Sequence, residues 1–497
     1  MTLTQTECNL PSYEFGRLNQ RKLVADFSGG ELTSDGGLLL IREIDNLYRI
    51  SERLANCFTD HRESSRVQHD LRTLIGQRLY GLVQGYEDVN DHDDLRHDRL
   101  FGVVLGQLES QHQRCAPLAG KSTLNRLEQA MHVAHDLSDS RYVKLSLDPG
   151  AIEALLVELF IEQQETEPKL LILDLDVTDD PTHGTQEGSA FNDYYHHDCY
   201  TPLLIFSGRH LLSAKLRPAN VDPAAGALEE LLRIVAQIRR HWPEVKILVR
   251  GDSAYSRDDI MLWCEGEAQV DFVLAHSSNE RLRKLTWHLE QRAKAAYEAQ
   301  RQTVAATLEP LLDQSASDLE TELNRLVPPQ VWYQSLSYST LNSWSCERRV
   351  ICKLTYDGNG PRRHFVVTSL SAKTVHPARL HRDWYCPRGE MENRIKEHQL
   401  DLFSDRTSTH DFESNQLRLW FSSFAYVLMQ ALRLKALAQT ELADATLGTI
   451  RRKLLKLGAQ IRVSVRRILV AFASASPIHP LFEEALQQLH RRLPRPG

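Results

Sequence analysis

An apolar strand that carries two aspartates constrains this chain more than any other feature. Residues 170–178 read LLILDLDVT, so Asp174, Asp176 and Thr178 project from one face while leucines and a valine project from the other. Carboxylates in an otherwise apolar strand are costly to bury unless a cation or hydrogen bonds compensate them. Oxygen ligands of this kind suit Mg²⁺ or Mn²⁺. The strand therefore predicts a metal site, the simpler alternative being a strand end where aspartate meets solvent.

A second apolar strand ends in the same way. Residues 247–252 read ILVRGD, in which Gly251 leaves room for close backbone approach and Ser253 is available to orient the Asp252 carboxylate. A Gly-Asp pair after a strand is by itself most often a turn. Strand-end aspartates on two strands of one α/β unit are less easily explained as turns.

A third acidic segment lies on a predicted helix. Arg388, Glu392 and Lys396 are spaced four apart and therefore share one helical face, shortly after Tyr385. On its own, this pattern is typical of a row of surface ion pairs.

The periodicity of apolar residues predicts an α/β protein in five segments. Residues 1–165 are helical in pattern, either a plain bundle or a bundle that includes a helix-turn-helix. Residues 166–278 alternate strands and helices in an order that suits an RNase H-like core with a mixed sheet. An inserted α+β subdomain is expected at 279–348, the second part of the core at 349–440 and a basic tail at 441–497. The predicted helices are 71–83, 122–128, 224–240, 258–266, 281–325, 388–400 and 412–434, and the predicted strands are 170–177, 203–206, 211–212, 246–250, 272–275, 331–353 and 365–368.

Composition predicts a soluble cytoplasmic protein with one basic segment. Its 497 residues are 42% hydrophobic, and no apolar run approaches the ~20 residues of a membrane span. The first residues lack signal-peptide features, and the eight cysteines form no C-x-x-C pair, which favours reduced thiols. Net charge is −7, yet residues 448–497 contain ten Lys/Arg and two acidic residues, a local charge of +8. Such a segment is either a polyanion-binding surface or a solvated charged face.

Taken in order, these motifs resemble the insertion-sequence-1380 family of DDE transposases, within the insertion-sequence-4-like group. Tyr385, Arg388 and Glu392 are similar to the Tyr-Arg-Glu-Lys signature of that group, while 174–184 and 249–253 resemble the two aspartate blocks. The signature lysine would fall at position 399, where this chain has glutamine, so Lys396 is the candidate replacement one turn earlier. Further similar blocks are 34–40, 85–91, 122–128, 194–195, 199–203 and 412–418.

The resemblance implies an RNase H-like enzyme that cuts DNA and joins transposon ends to a target. Asp176, Asp252 and Glu392 would be the catalytic carboxylates and the ligands of two Mg²⁺ ions, for which Mn²⁺ could substitute. Asp176 is favoured over Asp174 because the family's aspartate is followed two positions later by threonine.

The resemblance also implies DNA partners. Tyr385, Arg388 and Lys396 would contact DNA phosphates. Terminal inverted repeats would be read by residues 1–165, with the basic tail supporting contacts to the backbone. Synapsis of two ends implies a homodimer on DNA, acting without a membrane at the cytoplasmic nucleoid.

Two rival interpretations remain at this point. Residues 171–178 also resemble the nucleophile motif of haloacid-dehalogenase-like phosphatases, with Asp174 as nucleophile and Asp176 as acid/base. That fold gives no reason for Tyr385, Arg388 and Glu392. The other rival is an inactive DNA-binding transposase relic, which the presence of all three carboxylates argues against.

Overall fold

Residues 12–108, 117–132, 144–308 and 316–492 are described by a computed structural model of the chain. The chain divides into two units, Met1–Leu155 together with Glu397–Gly497, and Leu156–Lys396. Among the described helices, none combines the length and apolar character needed to cross a membrane.

Short strands and helices make up the N-terminal part of the first unit. They are β1 (Tyr13–Leu18), β2 (Arg21–Ala25), β3 (Leu32–Thr33), α1 (Leu38–Tyr48), α2 (Ile50–Ala55), β4 (Phe58–Asp60), α3 (Leu71–Gln84), α4 (His92–Leu95), α5 (Arg99–Val104), α6 (Lys121–Glu128), β5 (Met131–His132), β6 (Leu145–Leu147) and α7 (Pro149–Glu162), which runs on into the second unit. The predicted helix at 71–83 is confirmed as α3, which Asp70 caps by accepting a hydrogen bond from the Thr73 amide. The helix predicted at 122–128 is confirmed as α6, which begins one residue earlier, at Lys121 after Gly120. The described residues of this segment also form six short strands, which the helical periodicity did not predict.

The second unit is organised around a mixed sheet. Its first elements are β7 (Leu170–Val177), β8 (Asp180–Pro181), β9 (Ala190–Asn192), β10 (His197–Tyr200), β11 (Leu203–Ser207), β12 (His210–Lys215), α8 (Ala227–His241), β13 (Lys246–Gly251), α9 (Asp258–Gly266) and β14 (Val270–His276). β13 lies between β7 and β14 and pairs with both in parallel, whereas β11 pairs antiparallel with β7. The leucines at 171, 173 and 175 point into a buried cluster that also contains the apolar side of α8. The strands and helices predicted between 170 and 276 are confirmed.

The segment after β14 begins with helices and returns to the same sheet. Its elements are α10 (Glu280–Leu285), α11 (Trp287–Leu308), α12 (Ala316–Leu326), β15 (Gln330–Tyr338), β16 (Arg348–Asp357), β17 (Gly360–Thr368), α13 (Pro377–Arg379), a π-helical turn (Leu380–Tyr385), a 3₁₀ turn (Cys386–Arg388) and α14 (Gly389–Lys396). The sheet has eight strands in the order β12-β11-β7-β13-β14-β17-β16-β15. The strands of the expected insertion therefore extend the main sheet, and the five-segment division of the chain stays a prediction.

Two predicted helices are interrupted. The helix expected at 281–325 breaks at Thr286, between α10 and α11, and positions 309–315 lie outside the described residues. The helix expected at 388–400 is α14 flanked by the 3₁₀ turn and by a π-helical turn at Glu397–Asp401. Helix propensity alone does not locate such breaks, since tertiary contacts decide them.

The C-terminal segment completes the first unit. Its elements are α15 (Phe412–Lys435), α16 (Leu447–Ile450), a π-helical turn (Arg451–Leu455), β18 (Ala459–Ser464), β19 (Arg467–Phe472) and α17 (His479–His490). α15, predicted at 412–434, is buried along most of its length. Its Arg433 lies 2.7 Å from Glu397, and both side chains are almost fully buried. β18 and β19 form a hairpin whose base pairs with β3.

Two buried histidines should make the stability of the first unit sensitive to acid. Burial lowers the pKa of His92 and of His398 to about 3, from an ordinary value of 6.5. Between these pH values the unfolded chain binds more protons than the folded chain. The contribution of each histidine to the free energy of unfolding is therefore fully present above pH 6.5 and is lost as the pH falls. Between pH 7 and pH 5 each histidine should cost about 2 kcal/mol of unfolding free energy. Chemical denaturation of His398→Gln at both pH values should show a correspondingly weaker pH dependence; a dependence equal to that of the unsubstituted chain would contradict this.

Candidate active site

The parallel pairing of β7 with β13 brings the two predicted aspartates to one edge of the sheet. Arg250 is opposite Asp174 and Gly251 opposite Leu175, so Asp176 and Asp252 stand at neighbouring strand ends. The Asp252 carboxylate accepts a hydrogen bond from the Ala254 amide at 2.9 Å, and not from the Ser253 hydroxyl that the sequence suggested. Glycine at 251 is required by packing, because a Cβ there would lie 2.8 Å from the Tyr255 ring.

A pocket of about 780 Å³ lies at this edge, within the second unit. Its lining includes Asp176, Asp252 and Glu392, so side chains from β7, from the turn after β13 and from α14 meet in one concavity. Arg388 lines the same pocket, as its spacing from Glu392 predicts. Of the other described side chains predicted to bind DNA, Tyr385 and Lys396 lie outside the lining.

Arg388 provides the positive charge opposite Asp176. Its Nη2 lies 2.7 Å from the Asp176 Oδ2, and both side chains are mostly buried, at 12% and 11% exposure. Burial raises the pKa of Asp176 to about 6, an effect that Arg388 opposes and that the charges of Asp252 and Glu392 reinforce. The Arg388 Nε is buried without a hydrogen-bond partner among the described residues. The guanidinium thus retains donor capacity that Asp176 does not use.

The oxygen ligands of the carboxylates suit hard divalent cations, but the side chains do not converge on a single metal position. Within the described residues, no three His, Cys, Asp or Glu side chains converge in an arrangement that would hold an ion. The donors at the pocket are oxygens of Asp176, Asp252 and Glu392, the type that Mg²⁺ and Mn²⁺ prefer. Burial is the main cause of the raised pKa of Asp176, and the charges of Asp252 and Glu392 add a smaller repulsion that a cation would relieve.

Asp174 has a different role from its neighbour on the same strand face. Both of its oxygens accept from the Arg250 guanidinium, with the Nη2–Oδ2 distance at 2.7 Å, and both side chains are buried. Asp174 is also not part of the pocket lining among the described residues. Arg250 makes a further contact, donating from Nη1 to the Trp384 carbonyl at 2.8 Å. It therefore ties β7 and β13 to the π-helical turn that leads to Arg388 and Glu392.

Tyr385 and Lys396 occupy less direct positions. Tyr385 is half-buried and packs on the cluster beneath the π-helical turn, with its ring 5.0 Å from that of His364. Burial raises the pKa of the Tyr385 phenol, so the hydroxyl stays protonated and can donate. Lys396 is exposed at the last position of α14. Their contacts with DNA stay predictions.

Three pocket features were missed in the sequence. His276 ends β14 and lines the pocket, with its Nδ1 3.1 Å from the Ser256 hydroxyl and its ring 4.8 Å from that of Trp344. Burial lowers the His276 pKa, so the ring is neutral. Tyr255 is fully buried beside the pocket, and its hydroxyl has no hydrogen-bond partner among the described residues. His276, like Asp252, is a polar residue at the end of an apolar strand, so the same pattern could have identified it. Trp344 lies in a loop, and no local sequence pattern marks it as a pocket residue.

The Asp174–Arg250 pair should matter for stability far more than an exposed pair of the same type. Asp174→Asn leaves the buried Arg250 charge poorly compensated and should cost about 3–5 kcal/mol of unfolding free energy. Asp222→Asn, which disrupts the half-exposed Asp222–Arg257 pair, is the matched control and should cost less than about 1 kcal/mol. Urea denaturation of both variants measures the difference.

The contact between Arg250 and the Trp384 carbonyl makes a separate prediction. Arg250→Gln should speed amide hydrogen exchange in Leu380–Tyr385, because it removes the donor that anchors this turn. Exchange followed by mass spectrometry checks it. Unchanged protection of this turn would show that Arg250 does not anchor it.

Comparison with known proteins adds a family assignment to this geometry. Residues 15–494 match the family model described as transposase DDE domain group 1. A solved structure described as the cryo-EM structure of the piggyBac transposase synaptic complex with hairpin DNA is similar over 94% of this chain and 83% of that chain, at 10% identity and a TM-score of 0.39. No curated protein matches the chain significantly.

Proposed function

The chain belongs to the transposase DDE domain group 1 family, and from this premise we propose that it cuts DNA at the ends of an insertion sequence and joins them to target DNA. The main support for the proposal is that Asp176, Asp252, Glu392 and Arg388 all line one pocket. Within the family, we assign the chain to the insertion-sequence-1380 group and its sheet to the RNase H-like type, on the motifs described above.

Asp176, Asp252 and Glu392 are the residues that would hold the divalent cations, with Mg²⁺ as the expected ion and Mn²⁺ as its substitute. When bound, such ions supply Lewis-acid stabilisation of negative charge on a phosphate undergoing in-line displacement. Asp252 is oriented for this role by its bond from the Ala254 amide. The raised pKa of Asp176 means that cation binding and proton loss at this carboxylate are linked.

Arg388 has the chemistry to bind the scissile phosphate. Guanidinium groups form paired, charge-assisted hydrogen bonds to phosphate oxygens. Its unpartnered Nε shows that donor capacity remains while Nη2 contacts Asp176. Tyr385, from the cluster beneath, and Lys396, from the exposed end of α14, are proposed to contact the DNA backbone further along.

The proposed partners follow from this reaction. They are the terminal inverted repeats, the target duplex and a second copy of the chain that holds the other transposon end. Reading of the repeats is assigned to residues 1–165 and backbone contacts to the basic tail, 441–497. Such a substrate would place the protein at the nucleoid.

The phosphatase alternative is disfavoured by the surroundings of Asp174. A nucleophilic carboxylate needs one oxygen free to attack a phosphorus atom. Both Asp174 oxygens are instead engaged by Arg250 in a buried pair. The relic alternative predicts no reaction at all, so a cleavage assay separates it from the proposal.

Removing any one of the three carboxylates should abolish DNA cleavage. Asp176→Asn, Asp252→Asn and Glu392→Gln should each lower the rate by a thousandfold or more, about 4 kcal/mol of transition-state stabilisation. The assay follows Mg²⁺-dependent nicking of a duplex that carries the element's ends. Glu390→Gln is the matched control, since Glu390 is an exposed carboxylate of the same helix that is outside the pocket lining.

The outcomes separate the interpretations. Full activity in any of the three carboxylate variants would remove that residue from the site. Absence of nicking by the unsubstituted protein with Mg²⁺ or Mn²⁺ would favour the relic.

A further inference from the structure

The hairpin of β18 and β19 has an anchored base and an exposed outer half. At the base, Ala459 and Gln460 pair with β3, and the Phe472 ring lies 5.1 Å from that of Phe482 in α17. The outer half, residues 462–469, is paired only across the hairpin within the described part of the chain. Its turn is two residues long, Val465 and Arg466. The hairpin is therefore anchored at its base, and its outer half projects beyond the elements that hold it.

The outer half is strongly basic. Arg462, Arg466 and Arg467 are all exposed, and residues 459–472 contain no aspartate or glutamate. None of the three arginines makes an ion pair with another described residue; Arg462 donates to the Gln460 side chain. Arg462 lies opposite Leu469 and Ser464 opposite Arg467, so Arg462 and Arg467 project from the same face.

The other face and the turn are apolar and exposed. Val463 and Ile468 are directly opposed and are 38% and 39% exposed, while Val465 is fully exposed at the turn. An exposed ribbon that combines guanidinium groups with small apolar side chains matches a nucleic-acid groove, where phosphates flank base edges and thymine methyl groups.

Resting on the proposed function, we infer that the β18–β19 hairpin enters the major groove of duplex DNA. Three residues of each strand beyond the buried base span about 10 Å. The groove is about 8.5 Å deep and about 12 Å wide, and it accepts a two-stranded ribbon. Arg462 and Arg467 bind the flanking phosphates, while the turn formed by Val465 and Arg466 meets base edges.

Charge favours DNA over a second copy of the chain as the occupant. Pairing of two such hairpins would bring arginines of like charge together, which is destabilising between neighbouring strands. A phosphate backbone instead gains from each guanidinium by releasing condensed counterions.

The test is the salt dependence of DNA binding by the full chain. Affinity for a labelled random-sequence duplex is measured by fluorescence anisotropy in EDTA, across a range of salt concentrations. Arg462→Ala combined with Arg467→Ala should lower the slope of log affinity against log salt by about 1.8, since each phosphate contact contributes about 0.9. Over a fourfold change in salt, this equals about twelvefold.

Two further variants control for net charge and for folding. Arg240→Ala with Arg283→Ala removes the same charge from exposed positions in the last turns of α8 and α10 and should leave the slope unchanged. Arg462→Lys with Arg467→Lys keeps the charge and should keep the slope. An unchanged slope in the β18–β19 alanine variant, or an equal fall in both alanine variants, would overturn the inference.

Failure of the hairpin inference is distinguishable from failure of the proposed function. If the unsubstituted protein binds the duplex and nicks element ends with Mg²⁺ while the β18–β19 variant retains its salt slope, only the hairpin inference falls. If the unsubstituted protein neither binds nor nicks DNA, both fall.

Discussion

The parallel register between β7 and β13 is the constraint on which the candidate site depends. It sets Asp176 and Asp252 at adjacent strand ends, on strands about 4.8 Å apart. Two carboxylates so close repel each other unless a positive charge lies between or beside them. Arg388 supplies that charge, and the raised pKa of Asp176 reflects how incompletely it offsets burial and the neighbouring acids. Glu392 reaches the same pocket along the helix that Arg250 helps to anchor, through the Trp384 carbonyl.

Two aspartates of one strand face are distinguished by the arginine that each one meets. Asp174 is held through both oxygens by Arg250, which comes from the adjacent strand and is fixed by the sheet. Asp176 is contacted through one oxygen by Arg388, which comes from a short 3₁₀ turn. A buried carboxylate that one guanidinium binds through both oxygens is committed to that cation. Asp176 meets its arginine through one oxygen only, while the other accepts from the Val177 amide, so at the pocket it can exchange its cationic partner. This difference is the physical argument for Asp176, which the sequence could rank above Asp174 only by resemblance.

Local patterns predicted the main strands and helices of the mixed sheet and the strand-end position of the aspartates, but not the short strands of the first unit. Alternation along 170–177 is a short-range property, and β7 has the predicted bounds, with Asp174 and Asp176 buried as well as the leucines on the other face. The partners of those residues are not short-range. That Arg250 pairs with Asp174 depends on which strand lies next to β7, and that His276 and Trp344 share the pocket depends on the strand order of the whole sheet. The break at Thr286 and the π-helical turns likewise reflect tertiary packing over helix propensity.

Net charge is a poor guide to the partners of a protein whose acidic and basic residues are concentrated in different places. The total of −7 includes the carboxylates of the candidate site, which repel a phosphate unless cations or Arg388 intervene. Charges separated by more than about 10 Å of salt solution are largely screened from one another. A phosphate chain therefore responds to the local surface it touches, and along residues 459–472 that surface has three exposed arginines and no acid. An acidic candidate site and the basic hairpin inferred to bind DNA are therefore compatible, because screening would let each act on its own part of the duplex.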